Sequence, residues 1–128
     1  WRVGLGFAPE GSKVQQGDGR TPEGVFSVTR KVPWSRFHRA LLLSYPTVAD
    51  AERGLEAGLI DAATAGAIRR AHAEGRTPPQ DTALGGLVEI HGSGGASDWT
   101  LGCIALDDAA IDAIWPWVGA GTKVEILP

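Results

Sequence analysis

The stretch that decides the fold is Leu87-Val88-Glu89-Ile90-His91-Gly92, a glycine-rich span, and then Thr100-Leu101-Gly102-Cys103-Ile104-Ala105-Leu106. An apolar run that ends on a histidine reads as a strand delivering His91 at its tip. Gly92 to Leu101 is irregular and rich in glycine and serine, hence a loop. Cys103 is the only cysteine, so it has no disulfide partner within the chain. A thiol acts as a nucleophile when a base takes its proton and amide donors hold the oxyanion it generates. His91, Cys103 and the glycine-flanked turn between them supply those parts. The competing reading is a buried cysteine packing as a small hydrophobe.

Working outward, Trp1 to Phe7 alternates apolar with small or polar residues, which predicts a first strand. Asp18-Gly19-Arg20-Thr21-Pro22-Glu23-Gly24 is dense in Pro and Gly and marks a tight turn. Val25 to Val32 is rich in β-branched residues and reads as a second strand. Leu41 to Tyr45 is a third, buried on both faces and ended by Pro46. Composition then shifts to Ala, Glu and Arg. Thr47 with Asp50 forms a capping pair for one helix, closed near Gly58. Asp61 caps a second from Ala62 to Glu74. This helical hairpin, about residues 47–75, sits between the third strand and the strand that carries His91. Asp107 or Asp108 starts a further helix, with an apolar stripe at Ile111, Ile114, Trp115 and Val118. Pro116 should kink or end it. Thr122 to Leu127 alternates and closes the domain as a strand.

The chain of 128 residues fits one domain, with 43% hydrophobic and 21% charged residues. The net charge of −3 and the lack of a basic patch argue against nucleic acid as a partner. No apolar run reaches membrane-spanning length. Three scattered histidines and one cysteine lack zinc-ligand spacing, so no metal is expected. The chain opens on Trp1 and holds no methionine, so Trp1 is expected not to be a natural start, any leader or anchor lying outside this sequence.

His91-Gly92, a Gly/Ser loop and Thr100-x-Gly102-Cys103-Ile104 together resemble the signature of L,D-transpeptidase catalytic domains (the YkuD type). The turn Thr21-Pro22-Glu23-Gly24 before a strand resembles that family's upstream element. Phe37-His38, Ser44-Tyr45-Pro46 and Gly85-Gly86 extend the match, which covers the chain apart from the hairpin. Two positions depart from the common pattern. Leu101 stands where many members carry a polar residue, and Ala105 where many carry an arginine. The resemblance implies an α+β domain, a β-rich sandwich or barrel with the hairpin inserted and a helix after the cysteine, spanning residues 1–128.

It also implies a reaction. Cys103 would attack a peptidoglycan stem peptide and release D-alanine. The thioester would pass to an amine, from a second stem or an envelope protein lysine, in an extracytoplasmic compartment and without a cofactor. The alternatives are a hydrolase on the same scaffold and an inactive module that binds peptidoglycan. Cys103 is then the nucleophile and His91 the base, oriented by the Gly92 carbonyl or the Ser93 hydroxyl. The imidazole is expected to lower the thiol's pKa by ion pairing. Gly102 and Cys103 amides are the expected oxyanion donors, supported by Thr100. Arg20 would stand in for the arginine missing at position 105, and His38 and Trp99 would line the cleft. For each of these three, packing or surface solvation is the competing reading.

Overall fold

A computed structural model describes residues 1–128. The fold is α+β, as expected. Five strands form a single curled sheet: β1 (Gly24–Ser35), β2 (His38–Leu43), β3 (Glu89–His91), β4 (Ile104–Ala105) and β5 (Lys123–Ile126), ordered β4-β3-β2-β1-β5. All neighbours are antiparallel except β3 and β4, which run parallel. Long β1 pairs with β2 and with β5, and two register shifts in its pairing with β2 bend it. The five strands thus form one curled sheet.

Helices α1 (Val48–Glu56) and α2 (Ala62–Ala73) form where the caps place them. Thr47 Oγ1 accepts from the Asp50 amide at 3.2 Å, and Asp50 accepts from the Thr47 amide at 2.8 Å. Asp61 accepts from the Thr64 amide at 2.8 Å. The hairpin has its own small core of Ala51, Ile60, Ala65, Ile68 and Leu84. It is tied to the sheet through Tyr45, whose hydroxyl donates to Leu84 O at 2.5 Å. His72, expected at the solvated surface, is half-buried and bonds Pro46 O at 2.7 Å.

The main core joins Phe26, Val28, Leu41, Leu43, Tyr45, Val88, Ile104 and Leu106 with Ala110 and Ile111 of α3 (Asp108–Ile114). Strand alternation puts Leu41, Leu43 and Ile90 on this face. It leaves Ala40, Leu42, Glu89 and His91 on the other.

One expectation is corrected, one is met and one strand is added. Trp1–Phe7 is not a regular strand and makes only two isolated bridges, Gly4 with Ala105 and Gly6 with Thr100. Between them the Leu5 amide turns to the Asp98 carboxylate at 2.8 Å, so no continuous ladder forms. The last helix ends at Ile114, and Trp115–Trp117 is a single 3-10 turn. Pro116 has no amide to carry the ladder on, and Val118 is extended. Ile104–Ala105, for which no strand was predicted, is β4.

Candidate active site

Cys103 leads into β4, and His91 ends β3. The parallel register pairs Ile90 with Ile104 and His91 with Ala105. Both residues line one cavity of about 420 Å3, whose wall also carries Phe7, Lys13, Arg36, Phe37, Glu89 and Trp99.

His91 is 1% exposed. Its Nδ1 faces the Gly92 carbonyl at 2.7 Å, which makes Nδ1–H the donor and leaves Nε2 as the basic nitrogen. Of the two orienting groups open from sequence, the geometry has the Gly92 carbonyl. Ser93 is exposed and uses its amide to donate to Asp108 Oδ1 at 2.8 Å. Gly92 has no room for a side chain: a Cβ would sit 2.5 Å from Asp108 Oδ1 and 2.7 Å from Phe37 O. Phe37 stacks on the imidazole at 4.3 Å and 21°, and Trp99 meets both rings edge-on. Burial in this aromatic box lowers the His91 pKa against the pull of the Gly92 carbonyl, so the ring is a neutral base at neutral pH.

The nucleophile turn is braced by Thr100. Its hydroxyl donates to Cys103 O at 2.7 Å and accepts from the Gly102 amide at 3.1 Å. Gly102 holds φ +145°, and a Cβ there would meet Arg20 O at 2.8 Å. Because Thr100 takes the Gly102 amide, that amide is not available to an oxyanion. The Cys103 amide makes no hydrogen bond within the chain and is the free donor of the pair.

The thiol itself is parked. Sγ–H donates to Leu87 O at 3.3 Å, and the Glu89 amide donates to Sγ at 3.4 Å. No hydrogen bond joins it to His91. Burial pushes the thiol up to about 11; the Glu89 amide pulls it down, the Glu89 charge adds to the rise, and Lys13 opposes it. The resting pair is therefore a neutral thiol beside a neutral imidazole, not the thiolate–imidazolium pair expected from sequence.

The family model for the L,D-transpeptidase catalytic domain (YkuD) matches residues 1–126. The chain belongs to this family. Comparison with curated proteins gives no match. Among solved structures, a variant of the helical cell shape determining protein Pgp2 from Campylobacter jejuni aligns with TM-score 0.62 at 23% identity, over 96% of this chain and 35% of that one. Bd1075 from Bdellovibrio bacteriovorus gives 0.58 at 16%, over 99% and 37%. An L,D-transpeptidase from Mycobacterium smegmatis gives 0.50 at 14%, over 99% and 48%. At these identities the likeness is one of fold, and the chain spans less than half the length of each.

Within this L,D-transpeptidase domain, two expected contacts lie elsewhere. Arg20 does not line the cavity; Gly11, not the cleft, borders its guanidinium. His38 pairs with Asp112 at 2.7 Å, outside the cleft. Trp99 does line it, with Nε1–H held by Gly94 O at 2.9 Å. The cavity's cations are instead Lys13 and Arg36. Lys13 is 3% exposed, paired with Asp18 at 2.9 Å and bonded to Gln15 O. Arg36 lies over the Phe37 ring at 5.3 Å and has no acidic partner. No residue of α1 or α2 lines the cavity, although Arg53 reaches Lys13 O at 3.4 Å. No three His, Cys, Asp or Glu residues cluster to hold a metal, and no helix is long and apolar enough to cross a membrane.

Proposed function

We propose that this chain, as one catalytic domain over residues 1–128, performs cysteine-dependent acyl transfer on peptidoglycan stem peptides. Family membership supports the substrate class. The observation that carries the chemistry is the convergence of Cys103 and an oriented, neutral His91 on one cavity. A donor carbonyl entering this cavity draws Sγ away from Leu87 O. His91 Nε2 takes the thiol proton as the C–S bond forms, and the Cys103 amide donates to the oxyanion. His91 then protonates the departing amine of D-alanine, leaving a thioester. An incoming amine, from a second stem or a protein lysine, breaks the thioester to an amide. The compartment is extracytoplasmic, where peptidoglycan lies. Arg36, free of any acidic partner, is the cavity cation suited to a substrate carboxylate.

Intact-mass measurement with purified muropeptides tests this. The expected result is a tripeptide adduct on Cys103 with free D-alanine, absent in Cys103→Ala. Turnover by the alanine variant would refute the mechanism. Products that are only free tripeptide would assign the chain to hydrolysis.

A further inference from the structure

Glu89 stands beside the nucleophile without any evident structural duty. It precedes His91 by two positions on β3, so both side chains face the same side of the sheet, with Cα atoms roughly 7 Å apart. In the parallel register it lies opposite Cys103, and its own amide touches Sγ. It lines the same cavity and is half-buried. Yet its carboxylate makes no hydrogen bond and no ion pair. Burial raises its pKa and only the distant Arg30 charge opposes that, for no cation pairs with it. Lys13 is committed to Asp18. Arg30 lies two strands away, across Leu42, in the row Arg30–Leu42–Glu89. Arg36 rests on Phe37. An unpaired carboxylate here disfavours the thiolate and is costly to bury.

We infer that Glu89 is the docking group for the acyl acceptor, and that this acceptor is a primary amine arriving as its ammonium. The inference rests on the acyl-transfer reading above. The ammonium donates to the Glu89 carboxylate, beside the thioester on Cys103. It gives its extra proton to water, and the free amine attacks the thioester carbon. The C–N bond forms and the C–S bond breaks. His91 takes a proton from the amine nitrogen and returns it to the departing sulfur. Glu89 thereby raises the local amine concentration against water, which competes for the same thioester.

Two measurements test this. In the first, the acyl-enzyme is offered n-propylamine, cationic at neutral pH, or hydroxylamine, uncharged there, and the ratio of transferred product to free acid is taken per acyl-enzyme. Glu89→Gln should lower this ratio on the order of tenfold for propylamine and leave it unaltered for hydroxylamine, with Glu89→Asp intermediate. Equal loss with both nucleophiles, or no loss with propylamine, overturns the inference. The second needs no acyl-enzyme. Propylammonium chloride should speed the reaction of the resting Cys103 thiol with a small disulfide, relative to sodium chloride at equal ionic strength, because it screens the Glu89 charge at close range. Glu89→Gln should abolish the difference, and no difference in the parent chain overturns docking. Failure to form any acyl-enzyme would instead refute the acyl-transfer reading, and the second measurement still decides on Glu89.

Discussion

The resting thiol should behave as an unreactive one, and its titration is a direct probe of the cavity. An unperturbed thiol titrates near 9.0, whereas burial pushes Cys103 up to about 11. At neutral pH the thiolate fraction is therefore roughly 100-fold below that of a free thiol. The more basic thiolate is intrinsically a better nucleophile, by roughly eightfold for a Brønsted slope near 0.45. The net expectation is a reaction with a small disulfide roughly tenfold slower than that of a cysteine peptide. Below the midpoint the logarithm of the rate should rise by about one per pH unit and still be rising at pH 10. Two substitutions fix the cause. Glu89→Gln removes a repelling charge and should move the midpoint down. Lys13→Met removes an attracting one and should move it up. A rate that levels off below pH 9 would refute the reasoning, since it would mean the thiolate is paired in the resting state.

Asp18 is held at about 2: its bonds from Lys13 and from the Val14, Gln15 and Arg20 amides outweigh the opposing effect of burial. A lowered carboxylate stabilises the fold above its unfolded pKa and loses that contribution as pH falls through the folded value. Urea titrations should therefore show about 2 kcal/mol lost between pH 4 and pH 2 that Asp18→Asn does not lose. Thr100→Val leaves the buried Gly102 amide without its acceptor and should cost about 1–3 kcal/mol in denaturant unfolding, while Thr100→Ser should cost less. Phe37→Leu uncovers one face of His91, so the imidazole pKa should rise. The acidic limb of the Cys103 acylation profile, which needs neutral imidazole, should then move to higher pH, as measured by adduct formation across pH.

Local devices were legible and assembled ones were not. The caps at Thr47 and Asp61 act within one turn, so their spacing in sequence is their spacing in space. His91 and Cys103 stood out because a strand end and a glycine-flanked thiol are local signals as well. Lys13 reaches the cavity from one segment and Arg36 with Phe37 from the turn between β1 and β2; of the three only Phe37 was marked, by the Phe37-His38 resemblance, and nothing local marks the two cations. Arg20 shows the converse: its turn was readable, but the direction of its side chain depends on what packs beside Gly11. Glu89 was within reach, since period-two alternation from His91 puts it on the same face. β4 was not, because two residues carry no periodicity. The thiol's resting state is not legible in sequence, because spacing says nothing of which carbonyl the sulfur rests against.

The bridge between Gly4 and Ala105 has a practical side. Strand β4 is two residues long and is flanked by β3 and by the N-terminal segment, with Gly4 and Ala105 exchanging both backbone bonds at 2.9 and 2.7 Å. Of the residues before Phe26, only the partly buried Leu5 packs against the main buried cluster. A protease that cuts within residues 1–7 would release one flank of β4 and unseat the sulfur while most of the sheet stayed folded. Far-ultraviolet spectra and melting curves would pass such a sample as intact, so thiol titration, not foldedness, is the fitting quality measure for preparations of this domain.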